Sequence, residues 1–225
     1  MNQERSPQQE RSRATARRLL SATIRVIAES GLEAATVPKI AALAKVAPAS
    51  VYRRYQDKDA LVRAAFLQAL EQSNANNRQL LKGALLRQTL QATAVQLMKV
   101  LFEQYQRHPL LFRSLSRYLD STDDVDFARR ARAVMVANVE EVVAVLLHHR
   151  DEIVQVEPKR ALRIALLNAI CSIETYALDS NSLWHSFRGF SADLLTTELA
   201  AGFVSYLTHA HASGRAKRSR LAAKS

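Results

Sequence analysis

Polar and cationic side chains crowd into one short stretch near the start of the chain. Ser50, Tyr52, Arg53, Arg54 and Lys58 follow one another closely there. A guanidinium group can donate two hydrogen bonds to O6 and N7 of guanine, while hydroxyl and ammonium groups bind phosphate oxygens. The chemistry available to this stretch is therefore recognition of double-stranded DNA. A solvated basic helix face is the alternative interpretation.

Apolar spacing predicts three short helices that position this stretch, over residues 14–29, 37–44 and 48–55. Gly31 ends the first helix, and Thr36 is a natural N-cap for the second. Pro38 and Pro48 lie in first turns, where proline is tolerated.

The three helices have the size of a helix-turn-helix unit. Ala41 and Ala44 allow close helix crossing, and a small core is predicted from Ile40, Val46, Val51 and Tyr55. Ala49 and the polar residues beside it then face outward from the third helix, which fits the major groove of B-DNA.

The run IAALAKVAPASVYRRYQDKDAL, from Ile40 to Leu61, resembles the tetracycline-repressor (TetR) family of one-component transcriptional regulators. The family pattern is matched in order and spacing by Glu29, Gly31, Thr36, Ile40, Ala41, Ala44, Val46, Tyr52, Lys58 and Leu61. The resemblance covers about 50 of the 225 residues.

The resemblance implies roles for individual residues. Thr36 and Lys58 are expected to contact phosphate, and Ser50 and Tyr52 to lie on the recognition helix against bases or backbone. Arg53 and Arg54 are the best candidates for base readout. The full predicted DNA-binding set is Thr36, Lys39, Lys45, Pro48, Ala49, Ser50, Tyr52, Arg53, Arg54 and Lys58.

Three residues depart from the family pattern. Lys45 and Ala49 stand where glycine is usual, and Ala47 stands where a serine cap is usual. A positive φ at Lys45 would cost roughly 1 to 2 kcal/mol, and the lost cap hydroxyl about 1 kcal/mol. Neither departure abolishes the fold, and Lys45 gains an attraction to phosphate.

The whole chain is predicted to be all-α with about nine helices, since glycine and proline number only five each. The expected divisions are a flexible arm over 1–12, the DNA-binding domain over 13–57, a helical ligand-binding and dimerisation domain over 58–212, and a basic disordered tail over 213–225. Later helices are expected over 58–81, 84–106, 110–119, from the 121–126 cluster to about 150, 159–178 and 192–208.

The formal charge of +11 is concentrated at the two ends of the chain. Residues 1–60 carry 11 Lys and Arg against 6 Asp and Glu, and residues 213–225 carry 5 against none. This pattern indicates that the ends meet a polyanion. Arg11, Arg13, Arg17 and Arg18 either reach DNA or are solvated, and the tail either strengthens DNA binding or serves solubility.

Resemblance to the family also implies a small-molecule pocket in the larger domain, for a largely apolar ligand. The residues that could line it are Met98, Phe102, Tyr105, Phe112, Tyr118, Met135, Cys171 and Trp184. Ordinary core packing is the alternative for most of them, and Trp184, Phe187 and Phe190 would then cap a core.

The last two helices are expected to pair with their symmetry mates as a four-helix bundle in a homodimer. The predicted interface is Leu162, Ala165, Leu166, Ala169, Ile173, Tyr176, Leu195, Leu199, Gly202, Phe203 and Tyr206. Twofold symmetry then implies a palindromic operator.

Other functions find little support in the sequence. The pairs His148–His149 and His209–His211 lack the spacing that puts two ligands on one helix face, and no catalytic site or cofactor is predicted. The single Cys171 fits a reducing cytoplasm, and no run of about 18 uninterrupted apolar residues predicts a membrane span.

The expected function is thus a sequence-specific transcriptional regulator, by default a repressor released from its operator by a ligand. A ligand-independent architectural or division-linked DNA-binding protein of the same fold is the first alternative. A helical enzyme with an incidental helix-turn-helix is the second.

Overall fold

The computed structural model describes residues 7–83 and 89–209, with side chains over 9–75 and 89–209. Every regular element in those ranges is helical, which confirms the predicted fold class. The helices are α1 (Pro7–Ser30), α2 (Val37–Ala44), α3 (Pro48–Tyr52), α4 (Lys58–Gly83), α5 (Leu90–Arg107), α6 (Pro109–Ser121), α7 (Val125–Leu146), α8 (Pro158–Leu178) and α9 (Ala192–Thr208). Short 3-10 helices cover Leu147–Glu152 and Leu183–Ser186.

The described chain packs as two compact units. The N-terminal unit comprises the residues up to 74 together with 108–135, and the C-terminal unit comprises 75–107 and the residues from 136 onward. The packing thus divides the chain after residues 74, 107 and 135, whereas the sequence predicted one boundary between residues 57 and 58. The expected tail over 213–225 lies outside the described residues.

The core of the N-terminal unit is built on α1, α2 and the first half of α4. Leu19 and Ile27 of α1, Ile40 of α2, and Leu61 and Phe66 of α4 are fully buried. Val51 of α3 is 1% exposed. From the later helices, Leu115 of α6 and Phe127 and Ala131 of α7 join the same cluster. These late residues are the reason that the unit does not end with α4.

The core of the C-terminal unit is formed by α5, the second half of α7, α8 and α9. Met98, Leu162, Leu166, Ile173 and Leu207 are all fully or nearly fully buried there. Among the described helices, α8 is the one long and apolar enough to cross a membrane by length and composition. The buried positions of α8 pack into this core.

Several helix ends differ from the sequence-based expectation. α1 already includes residues 7–12, which were expected to be a flexible arm, because Gln, Glu and Arg are good helix formers and proline is tolerated in a first turn. α3 ends at Tyr52 rather than at residue 55. Just beyond Tyr52, the Arg54 N–H donates a hydrogen bond to the Val51 carbonyl and so forms a tighter turn. α7 gives way to a 3-10 helix at Leu147 instead of running on to 150.

The start of α5 is also set by a cap. Thr89 Oγ1 accepts a hydrogen bond from Ala92 N at 3.3 Å, and a Glu152 carboxylate oxygen accepts one from Leu90 N at 3.1 Å. The expected start at 84 lies outside the described residues. The bounds of α9 agree with the prediction, and Ser191 caps it by accepting from Leu194 N at 3.2 Å.

The predicted dimer face of α8 and α9 turns largely toward the core of its own unit. Leu162, Ala165, Leu166, Ala169, Ile173, Leu195 and Phe203 are buried, Tyr176, Leu199 and Tyr206 are partly buried, and Gly202 is exposed. The apolar periodicity of the two helices therefore marks contacts with α5 and α7 within the chain. The seven buried residues of this set have almost no exposed surface that a partner could contact.

Candidate nucleic-acid interface

The turn between α2 and α3 is closed without glycine. Lys45 has φ 56° and ψ 50°, the left-handed conformation. Its N–H donates to the Ala42 carbonyl at 3.1 Å, and Val46 N–H donates to the Ala41 carbonyl at 3.0 Å. This is the double hydrogen bond of a Schellman motif. The exposed Lys45 side chain carries a positive charge at the tip of the turn.

The start of α2 presents two more polar groups to solvent. Thr36 occupies the N-cap position in extended conformation, but its hydroxyl makes no capping hydrogen bond. An exposed threonine hydroxyl beside free helix N–H groups is suited to a phosphate oxygen. Lys39, one turn later, donates from Nζ to Ser30 Oγ at 3.2 Å. That contact holds the Lys39 ammonium group beside the end of α1.

The outward face of α3 carries Ala49, Tyr52 and Arg53, at positions i, i+3 and i+4 of the helix. Ala49 and Arg53 are exposed, and Tyr52 is 60% exposed. Arg53 donates from Nη2 to Ser50 Oγ at 2.8 Å. Because a guanidinium has five N–H donors, this contact leaves Arg53 enough donors for a base edge.

Arg54 is held differently from Arg53. It donates from Nη1 to Ser12 Oγ at 3.0 Å, across 42 residues of sequence. The first turns of α1 therefore lie beside the turn that follows α3. Sequence reasoning missed Ser12, because periodicity identifies buried positions and cannot show which polar side chains meet across a fold.

Lys58 opens α4 at the edge of the same surface. Its Nζ lies 3.5 Å from the Leu32 carbonyl oxygen, so the ammonium group is directed along the end of α1. Asp57 accepts a hydrogen bond from Ala60 N at 2.6 Å and so caps the start of α4. Burial raises the pKa of the Tyr55 phenol, and the positive charge of Arg54 partly opposes that shift.

The eight predicted pocket residues are divided between the two compact units. Met98, Phe102, Tyr105, Cys171 and Trp184 belong to the C-terminal unit, whereas Phe112, Tyr118 and Met135 belong to the N-terminal unit. Met98 and Phe102 are buried in core, and Tyr105 packs against it. Burial raises the pKa of Tyr105, and nearby Glu174 and Cys171 add to the shift. Cys171 and Met135 are exposed.

A cleft of about 460 Å³ that sequence reasoning missed lies in the N-terminal unit. The buried Leu67 and Phe127 line it together with charged side chains of α4 and α7. Arg63 Nε pairs with Asp124 Oδ2 at 3.1 Å in this cleft, and Arg63 also donates to the Tyr118 hydroxyl at 3.4 Å. The signal in sequence would have been the alternation of charged and small residues along the start of α4.

A hydrogen-bond chain that is buried at Thr93 and His149 and exposed at Glu152 has the residue order of a catalytic triad. Thr93 Oγ1 lies 3.1 Å from His149 Nε2, and His149 Nδ1 lies 3.1 Å from Glu152 Oε1. Thr93 has no exposed surface, so a substrate could not reach its hydroxyl. The same Glu152 carboxylate caps Leu90 N. These hydrogen bonds therefore anchor the start of α5. Among the described residues, no group of His, Cys, Asp and Glu could hold a metal ion.

The sequence profile of bacterial regulatory proteins of the tetR family matches residues 19–65, the segment that contains α2, α3 and the start of α4. Residues 19–65 are therefore similar to the matched part of that family. Over 54 residues the chain is 43% identical to an uncharacterised HTH-type transcriptional regulator of Mycobacterium bovis, and equally to one of Mycobacterium tuberculosis. The match covers 24% of this chain and 27% of each relative.

Solved structures share the fold over nearly the whole chain, well beyond residues 19–65. A TetR transcription regulator of Haloarcula marismortui superposes with a TM-score of 0.65, 18% identity, and coverage of 86% of this chain and 97% of that one. The regulator FadR of Bacillus subtilis, solved with stearoyl-CoA, gives a TM-score of 0.62, 15% identity and coverage of 85% and 98%. The chain thus has a TetR-like fold, and the matched relatives are named regulators rather than enzymes.

Proposed function

We propose that the chain is a homodimeric transcriptional regulator that binds a palindromic operator in double-stranded DNA through α2 and α3. The observation that carries this proposal is the outward face of α3, where Tyr52 and Arg53 stand exposed between the cations of Lys45 and Lys58. An exposed phenol and guanidinium on a helix flanked by positive charge match the requirements of groove binding. Binding to chromosomal DNA places the protein in the cytoplasm.

Lys58→Ala tests this surface with a charge-matched control. The loss of one phosphate contact per protomer should weaken operator binding several-fold and reduce the salt dependence of the affinity. Lys99→Ala removes the same charge from an exposed position on α5 and should leave binding unchanged. Equal affinity in both variants would remove Lys58 from the interface. Circular dichroism checks that both variants are folded.

The dimer is proposed to form through the exposed faces of α8 and α9. On α8 these positions are Ile164, Leu167, Asn168, Cys171 and Thr175, and on α9 they are Leu194, Glu198, Ala201, Gly202 and Ser205. Each set recurs at helical spacing of three and four residues, so each forms one continuous stripe. Ile164 and Leu167 are 42% and 47% exposed, which is unusual for large apolar side chains on two successive turns.

Small residues on the α9 stripe favour close helix packing. A Cβ built at Gly202 would meet no atom within 4 Å, so a partner helix could approach the backbone there. Together the two stripes supply the four helices of a symmetric bundle. Of the interface first predicted from sequence, this proposal retains Gly202.

Release from DNA is proposed to follow binding of a largely apolar small molecule in the C-terminal unit. Support comes from the fold shared with FadR, which was solved with stearoyl-CoA. Long-chain acyl-CoA is therefore the first probe to test, by fluorescence anisotropy of the protein on its selected DNA. Dissociation at micromolar acyl-CoA supports a ligand-released repressor. Binding that resists acyl-CoA and a broader library of apolar compounds would favour the ligand-independent, architectural alternative.

A further inference from the structure

The side chains of Arg53 and Arg54, the two residues after Tyr52, extend to different sides of the backbone. Arg53 follows the exposed Ala49 by four residues, so it extends from the outward face of α3. Arg54 follows the buried Val51 by three residues, and it therefore starts on the side that faces α1. The hydrogen-bond partners agree with this geometry. Arg53 bonds Ser50 on its own helix, and Arg54 bonds Ser12 on α1.

Further positive charge lies on α1 near the contact between Ser12 and Arg54. Ser12 stands between the exposed Arg11 and Arg13 in the sequence, in the second turn of α1. A helix presented to the major groove places its outward face against the base edges, while its flanks face the sugar-phosphate strands. A guanidinium group on a flank is therefore placed for phosphate rather than for bases.

We propose that Arg53 and Arg54 divide the work of the DNA surface: Arg53 reads a base, whereas Arg54, positioned by Ser12, binds the phosphate backbone. This inference rests on the proposed DNA-binding function. It makes the first turns of α1 a fixed, helical part of the interface. It differs from the sequence-based expectation, in which both arginines are candidates for base readout.

The test begins with the DNA that the wild-type protein selects from a random pool. Arg54→Ala should weaken binding to all sequences by a similar factor, about tenfold, and leave the selected base preferences unchanged. The slope of log affinity against log salt should fall by about two for a dimer, one for each half-site. Arg53→Ala, the matched control, should relax the preference at one base pair in each half-site.

The role of Ser12 is tested by rescue and by coupling. Ser12→Ala should show a weaker form of the Arg54→Ala effect, and Ser12→Thr, which keeps a hydroxyl, should restore wild-type affinity. The double variant Ser12→Ala, Arg54→Ala should bind no more weakly than Arg54→Ala alone, because Ser12 acts through Arg54. Independent, additive losses would contradict the positioning role.

Two outcomes separate this proposal from the function on which it rests. If wild-type protein enriches no sequence, the proposed function fails and the division of labour fails with it. If wild-type protein enriches a sequence but Arg54→Ala changes a base preference, or leaves both affinity and salt slope unaltered, only the division of labour is overturned. Thermal unfolding of each variant confirms that the comparison is made between folded proteins.

Discussion

Lys45 donates its backbone N–H to the carbonyl oxygen of Ala42 at 3.1 Å while holding a φ of 56°. The hydrogen bonds of the turn thus force an L-residue with a side chain into the left-handed region. Lys45 therefore has a strained backbone, and its side chain also places a cation at the tip of the turn. Stability and DNA affinity should therefore respond in opposite directions to one substitution.

Lys45→Gly should raise the free energy of unfolding by about 1 kcal/mol, because glycine adopts positive φ without the clash of a Cβ. The same variant should bind DNA several-fold more weakly. Lys45→Ala is the matched control, since it keeps the strain and removes the charge. It should lose affinity without gaining stability. Urea unfolding and operator titration measure the two quantities, and a Lys45→Gly protein no more stable than Lys45→Ala would contradict the strain argument.

Tyr52 is the most exposed aromatic residue of the DNA surface, and it makes little contribution to the core. Tyr52→Ala should reduce operator affinity by tenfold or more and leave the unfolding midpoint within a degree or two of wild type. Tyr52→Phe separates the hydroxyl from the ring, because it removes only the hydroxyl group. Affinity is measured by fluorescence anisotropy. A Tyr52→Ala variant with wild-type affinity would exclude this residue from the contact.

The exposed stripe of α8 gives a sharp test of the dimer. Leu167→Asp places a charge on the stripe and should yield a folded monomer by sedimentation. Val125→Asp, at a side chain that is 77% exposed on the N-terminal unit, should remain dimeric. Cys171 provides a second measurement, since the single thiol lies on the same stripe. Its reaction with a maleimide should be slower in wild type than in Leu167→Asp, and equal rates would place the interface elsewhere.

An ion-pair cluster between α7 and α8 makes stability depend on pH at low values. Arg163 donates from Nη2 to Glu140 Oε2 at 2.9 Å, and Lys159 Nζ lies 3.1 Å from the same oxygen. These hydrogen bonds, first from Arg163 and then from Lys159, hold the pKa of Glu140 at about 2, below its ordinary 4.5. The folded state therefore favours the ionised carboxylate, and its contribution is present above pH 4.5 and lost as the pH falls toward 2.

Glu140→Gln should consequently be less stable than wild type at pH 7. The difference in the free energy of unfolding should shrink as the pH falls from 4.5 toward 2. Urea unfolding at pH 7 and pH 3 measures it. Glu157→Gln is the control, because the Glu157–Arg160 pair is exposed and within one helix turn. A constant difference between Glu140→Gln and wild type at both pH values would mean that the ion pairs do not cause it.

The DNA-binding module was largely predictable from sequence because its signals are local. Thr36 and Pro48 mark helix starts through residue type and backbone conformation, and Asp57 does so through a side-chain cap. Ile40 and Val51 repeat at helical spacing within a small unit, and both are buried as expected. The positive φ at Lys45 follows from the requirement of the turn for a left-handed residue. None of these inferences needs knowledge of the rest of the fold.

The sequence was less informative about which face of α8 is open to a partner. Periodicity in α8 identifies the face with Leu162, Leu166 and Ile173 as buried, but it cannot say whether the same chain or a partner covers it. In the structure α5 and α7 cover that face. The opposite stripe, with Ile164 and Leu167, is weaker in sequence because polar residues interrupt it. The contact between Ser12 and Arg54 is similarly non-local.

The central claim is tested most directly by selection of DNA from a random pool with the wild-type, full-length protein. The account predicts enrichment of an inverted repeat whose half-site centres lie about one or more helical turns apart, bound by a dimer at least about a thousandfold more tightly than unrelated DNA. Enrichment of a non-repeated sequence bound by a monomer, or of no sequence at all, would contradict it.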